Sequence, residues 1–172
     1  MPISTIIVFI LLAFVAITIF KGVRIVPQGY KWIVQRLGKY HTTLQPGLNF
    51  VIPYVDEVAY KVTTKDIVLD IPSQEVITRD NAVLLMNAVA YINLTTPEKA
   101  VYGIENYSWA IQNMVQTSLR SIVGEMDLDD ALSSRDHIKA KLKAAISDDI
   151  SDWGITLKTV EIQDIKPSHT MQ

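Results

Sequence analysis

The side chains of this sequence that could do chemistry are few and scattered. Histidine occurs at His41, His137 and His169, far from the short spacings that let two imidazoles ligate one metal ion. Ser133, Ser134 and His137 lie close together and could supply the hydroxyl and base of an acyl-transfer site. No carboxylate-backed geometry can be argued for them, so a hydrolase is a remote reading. Asp127, Asp129 and Asp130 offer hard oxygen donors for a cation, but they lack the glycine and terminal glutamate of a calcium loop. The same acids suit the first turn of a helix, where they complement its dipole. Asp148, Asp149 and Asp152 sit near the end of an expected helix, where they could meet a cation or a basic partner, or form a solvated face. There is no G-x-S-x-G, no P-loop and no G-x-G-x-x-G. The chain also has no cysteine, which excludes disulfides and thiolate metal sites. Chemistry at the level of residue types therefore points away from an enzyme, and no cofactor or metal is expected.

Apolar patterning says more. The 172 residues are 49% hydrophobic and 20% charged, with a formal net charge of −2, too near neutral to suggest a nucleic-acid partner. Residues 2–20, "PISTIIVFILLAFVAITIF", carry no charge. From Ile3 to Phe20 a helix at ~1.5 Å per residue would extend ~27 Å, close to the hydrocarbon thickness of a bilayer. A cleaved signal peptide would need basic residues before the run and a small-x-small cleavage site. Here Lys21 and Arg24 follow it instead, so a retained transmembrane anchor over residues 1–21 is expected. Residues 21–65 carry a net charge of +5, with Lys31 adding to the juxtamembrane group, and residues 66–172 carry −7. Positive charge after the span favours a cytoplasmic C-terminal side with the N-terminus outside, and Lys21, Arg24 and Lys31 suit an anionic leaflet. The competing reading of this basic stretch is an ordinary solvated face.

The elements beyond the anchor follow from period and punctuation. "YKWIVQRLGKY" alternates loosely and turns at Gly38, as a strand leading into a hairpin would. Val58, Tyr60 and Val62 mark a second strand. Ile67 to Ile71 mark a third, ended by Pro72-Ser73. Asp80-Asn81 is a turn signal between "QEVIT" and "AVLLMNAVAYINL", giving an antiparallel hairpin whose second arm is apolar on both faces and thus covered on both. Thr96 and Pro97 then open a short helix. Ile111, Val115, Leu119 and Ile122 set a longer one, capped at Ser108 and closing near Gly124. "DLDDALSS" is one short helical stretch, and Asp136 caps a helix burying Ile138, Leu142, Ile146 and Ile150, stopped by Gly154. In "ITLKTVEIQDI" Ile155 and Leu157 share one phase while Val160 and Ile162 share the other, which requires a bulge near Lys158-Thr159. Strands, helices and a returning strand make an α+β domain. The Pro27-Gln28-Gly29 turn is the linker candidate.

Long motifs in a fixed order carry a resemblance that periodicity alone would not name. They are "VPQGYKWIVQRLGKYHTTLQPGLNFVIPYVDEV", "VLDIPSQEVITRDNAVLLMNAVAYINLTTPEKAVY", "SLRSIVGEMDLDDALSSRDHIKAKL" and "WGITLKTVEIQDIKP". Together they resemble the stomatin/prohibitin/flotillin (SPFH, or band 7) family, and most of all its bacterial stomatin-like (paraslipin) branch. The resemblance implies antiparallel strands packed with helices over residues 22–167. Within these, a membrane-proximal part covers about 22–95, a helical part about 96–152 and a last strand about 155–165. It implies a non-enzymatic scaffold on the cell membrane of a bacterium that forms homo-oligomers, organises microdomains and attends membrane proteases; an alternative is a regulator or partner of such a protease in quality control. No single residue in the motifs is catalytic.

It also bears on "LQPGLNFVIPYV", residues 44–55, which is too short to span a bilayer and too broken by Pro46, Gly47 and Pro53 for a regular element. The resemblance implies a shallow membrane-surface segment with Leu48, Phe50, Ile52 and Tyr54 at acyl-headgroup depth; the alternative is that it packs into the domain core. In the family an Ala/Glu-rich coiled coil follows the last strand. Residues 168–172 are expected to begin such a helix, although "KPSHTMQ" lacks its usual double proline.

Overall fold

The computed structural model describes the backbone of residues 3–168 and the side chains of residues 6–168. His169 and the expected start of a C-terminal helix, apart from Ser168, lie outside them. The chain divides into two compact units, residues 1–64 and 65–172.

The first unit opens with α1 (Ile3–Gly22), whose side chains from Ile6 to Phe20 are apolar and exposed apart from the half-buried Thr18. The one hydroxyl among them, Thr18 Oγ1, donates to the Phe14 carbonyl at 2.8 Å and so needs no outside partner. Among the described residues no helix is long and apolar enough to cross a membrane. The spanning anchor expected over residues 1–21 is therefore not carried by the described side chains. From Ile6 to Phe20 they cover ~22 Å at ~1.5 Å per residue, against a hydrocarbon core of ~30 Å.

Two small sheets follow. β1 (Val23–Val26) pairs with β4 (Gly47–Phe50), and β2 (Tyr30–Arg36) lies between β3 (Lys39–Leu44) and β5 (Asp56–Thr63); all pairs are antiparallel. β2 and β3 form the hairpin implied at Gly38. Leu37 and Gly38 both take positive φ, 50° and 81°, as a two-residue turn matched to strand twist requires. Pro27-Gln28-Gly29 is an internal turn of this unit, closed by the Tyr30 N–H donating to the Pro27 carbonyl. The core is Val26, Val34, Leu44 and Val51, with Trp32 and Val58 packed against it.

In the second unit β7 (Val83–Leu94) runs between β6 (Ile67–Ile77) and β8 (Ile155–Pro167), antiparallel to both. β6 does not end at Pro72-Ser73. It continues through a bulge between Ile71 and Gln74, possible because β6 is an edge strand, where proline removes no ladder hydrogen bond. The turn at Asp80-Asn81 is present, with Asn81 at φ 66° and the Thr78 N–H donating to the Ala82 carbonyl. β7 is covered less evenly than its sequence implies. Leu84, Met86, Ala88, Ala90, Ile92 and Leu94 are buried, while on the other face Val89 is buried, Val83 and Tyr91 are half-buried and Leu85 is exposed. α3 (Tyr107–Gly124) packs on β6 and on α5 (Arg135–Ser151), and α5 packs on β8.

Both long helices start slightly earlier than their sequence signals. α3 is capped by Asn106, whose side chain accepts from the Trp109 N–H, rather than by Ser108. α5 is preceded by Ser134, so Asp136 sits inside the first turn. α4 (Leu128–Ser133) begins after Asp127, but the carboxylate that accepts its Leu128 N–H is Asp80 of the β6–β7 turn. α2 (Pro97–Gly103) opens at Thr96-Pro97, although Thr96 gives no side-chain cap. Gly154 follows α5 at φ 68°, and a Cβ there would lie 2.5 Å from the Thr96 carbonyl oxygen, a position only glycine fills. β8 shifts phase at Lys158, between the Ile92–Leu157 and Tyr91–Thr159 pairs, which lets Leu157 and Val160 both face the core.

Candidate membrane interface

The apolar segment at 48–55 gets its geometry from β1 and from Asp56. In the β1–β4 ribbon Val23 lies opposite Phe50 and Ile25 opposite Leu48. Because side chains alternate across a strand, these four share one face. Ile25, Leu48 and Phe50 are 70%, 69% and 64% exposed, and the other face delivers Val26 to the core. Val51 is buried, and its N–H donates to the Gly22 carbonyl at 2.9 Å. A Cβ on Gly22 would lie 2.8 Å from the Val51 carbonyl, so glycine permits the helix end to meet the strand exit.

After Val51 the backbone folds into a tight turn. The Asp56 N–H donates to the Ile52 carbonyl at 2.9 Å, and the Ile52 N–H donates to Asp56 Oδ2 at 2.8 Å. Arg36 grips the same carboxylate with two hydrogen bonds, Nε to Oδ1 at 2.6 Å and Nη2 to Oδ2 at 3.0 Å. This turn holds Ile52 and Tyr54 outward, 53% and 73% exposed, with Tyr54 at φ 69°. The Lys21 ammonium lies 5.5 Å from the centre of the Tyr54 ring, within cation–π range. The exposed apolar residues are thus fixed by a ladder and an ion pair.

The Arg36 hydrogen bonds hold the Asp56 carboxyl down at about 2; burial opposes this and the Ile52 N–H assists. A depressed carboxyl contributes stability above its unfolded value, near 3.9, and loses that contribution as pH falls through its folded value. The parent should therefore be more stable than Asp56→Asn at pH 7, with the gap closing between about pH 4 and pH 2. Urea unfolding across that range checks it, and a gap unchanged at pH 2 would show that the ion pair does not secure the turn.

The other sequence candidates are distributed differently. Arg24 is on β1 but points to the face opposite Ile25, and Lys31 is on β2, across from Val62 in the other sheet. Ile25 was not singled out by sequence, since only the β1–β4 register puts it beside Leu48. Leu37 is likewise exposed and was missed, while Phe20, read as the end of the anchor, is also exposed. Of the residues with catalytic or cation-binding potential, Ser133 donates its Oγ to the Asp129 carbonyl at 2.7 Å and Asp127 pairs with Arg79. Among the described residues no group of three or more His, Asp or Glu is placed to hold a metal ion.

The family model "SPFH domain / Band 7 family" matches residues 24–172. An uncharacterized protein of Methanocaldococcus jannaschii is 41% identical over 149 residues, 87% of this chain and 74% of its own length. An uncharacterized protein of Mycobacterium tuberculosis is 35% identical over 163 residues, 95% of this chain and 43% of that protein. Stomatin-like protein 2, mitochondrial, of Homo sapiens is 38% identical over 140 residues, 81% of this chain and 39% of that protein. The chain therefore spans less than half the length of two of these three relatives, which come from an archaeon, a bacterium and an animal and so do not assign it to the bacterial branch. With the α+β fold and the match over residues 24–172 in agreement, the chain belongs to the SPFH domain / Band 7 family.

Proposed function

We propose that this chain is a membrane-anchored, non-enzymatic scaffold that assembles with copies of itself on one membrane face and organises membrane microdomains and membrane-protein complexes. The observation that supports this reading is the set of exposed apolar side chains in the first unit, Ile25, Leu48, Phe50, Ile52 and Tyr54, held out by the β1–β4 ladder and the Arg36–Asp56 pair. Exposed apolar patches of this kind mark protein or membrane contacts. The apolar side chains of α1, exposed from Ile6 to Phe20, would hold the chain at a bilayer. Lys21, Arg24 and Lys31 then favour keeping residues 22–167, the globular part, on the cytoplasmic side with the N-terminus outside. A membrane protease would be a client of such a scaffold.

Because the chain has no cysteine, one cysteine added after Gln172 gives a unique label. Membranes washed with alkaline carbonate should retain the protein, the label should react only from the cytoplasmic side, and mild detergent should release particles larger than a monomer. Loss in carbonate, labelling from outside or a strictly monomeric size would each overturn the corresponding part of the reading.

A further inference from the structure

At the foot of α1, two clefts in the first unit share Arg24, Val51 and Asp56 in their walls. One, of about 370 Å³, is completed by Trp32, Glu57, Val58 and Lys61, a volume within the ~300–1,000 Å³ of small-ligand sites. The other is completed by Phe20, Lys21, Val23, Pro53 and Tyr54, so apolar side chains at the helix end adjoin the wall that the two clefts share. Arg24 reaches this place because it faces away from Ile25 on β1, and its guanidinium has no partner among the described residues. Lys61 holds its ammonium 4.6 Å from the centre of the Trp32 ring. Asp56 is already neutralised by Arg36.

From these groups we infer that the cleft binds the phosphate of a glycerophospholipid headgroup, with Arg24 and Lys61 on the phosphate and the glycerol and first acyl carbons toward Phe20 and Tyr54. The inference rests on the membrane reading above. A guanidinium fork and an ammonium are the donors that recognise phosphate oxygens. A phosphodiester carries one negative charge. The Glu57 carboxylate in the same wall disfavours a second, which sets the site against inorganic phosphate. An occupying phosphate would draw the Lys61 ammonium from the indole face, making Trp32 a built-in reporter.

The test uses the full chain in dodecyl maltoside with Trp109→Phe and Trp153→Phe, leaving Trp32 as the only indole. Dihexanoylphosphatidylglycerol should change Trp32 emission saturably, while dihexanoylglycerol, which lacks the phosphate, should not. Inorganic phosphate should need at least about tenfold higher concentration, because the apolar side chains add nothing to its binding. Arg24→Gln and, independently, Lys61→Gln should each raise half-saturation about tenfold, and Lys141→Gln in the second unit should leave it unchanged. No saturation, saturation untouched by both variants, or an equal response to dihexanoylglycerol would overturn the site. Inorganic phosphate binding as tightly as the lipid would overturn the lipid assignment. Flotation of the same protein with vesicles separates the two readings: a chain that floats but shows no saturable response keeps the membrane reading and loses the site. A chain that responds to the soluble lipid but does not float does the opposite.

Discussion

Leu142→Asp should leave no folded second unit. Leu142 is fully buried on α5, in line with Ile138, Ile146 and Ile150, all at 0% exposure. That face meets both β8 and α3. Truncation by Leu142→Ala removes packing and leaves a cavity, at about 2–5 kcal/mol. Aspartate adds an unpaired charge with no described partner, a penalty large enough to exceed the ~5–15 kcal/mol by which a domain is stable. Circular dichroism and thermal unfolding would read the difference. A Leu142→Asp protein melting like the parent would mean that α5 presents another face to the sheet.

The second large effect concerns the exposed apolar residues. In a chain beginning at Lys21, binding to anionic liposomes should have an apolar part and an electrostatic part. A Phe or Ile side chain contributes ~1.5–3 kcal/mol when fully withdrawn from water, and a shallow site about half of that. Phe50→Ser with Ile52→Ser should therefore weaken binding roughly 10- to 100-fold, most visibly at high salt, where the basic residues are screened. Replacing Lys21, Arg24 and Lys31 with glutamine should do the reverse, with a deficit that high salt conceals. If instead the Ser variant loses thermal stability while its folded fraction binds as before, Phe50 and Ile52 serve packing and not the membrane.

Much of the second unit was legible because its signals are local and repeated. Ile111, Val115, Leu119 and Ile122, like Ile138 to Ile150, recur at helical spacing and are all buried. The phase break at Lys158 was readable because Leu157 and Val160 cannot share a face without an extra residue. Caps were less legible. Several polar residues crowd each helix start, and tertiary pairing picks among them, as Asp80 shows by taking the Leu128 N–H from 48 residues away. Pro72 looked like a stop because its tolerance depends on β6 being at an edge, a property of the sheet and not of the segment. The same holds for the apolar face of the first unit. Leu48 and Phe50 drew notice as part of a run, but Ile25 belongs with them only through strand pairing across more than twenty residues.

The position of β7 between β6 and β8 sets a schedule for synthesis. β6 and β7 can close as a hairpin as soon as both have left the ribosome, but the second edge of β7 stays open until residues 155–167 emerge. At roughly 5–20 residues per second, the 60 residues between Leu94 and Ile155 leave that apolar edge unpaired for about 3–12 seconds. An open strand edge is a template for pairing with another chain, so nascent neighbours on one polysome could associate through β7 before either is complete. The helices made in that interval can shelter one face of the strand, but only β8 can close its edge.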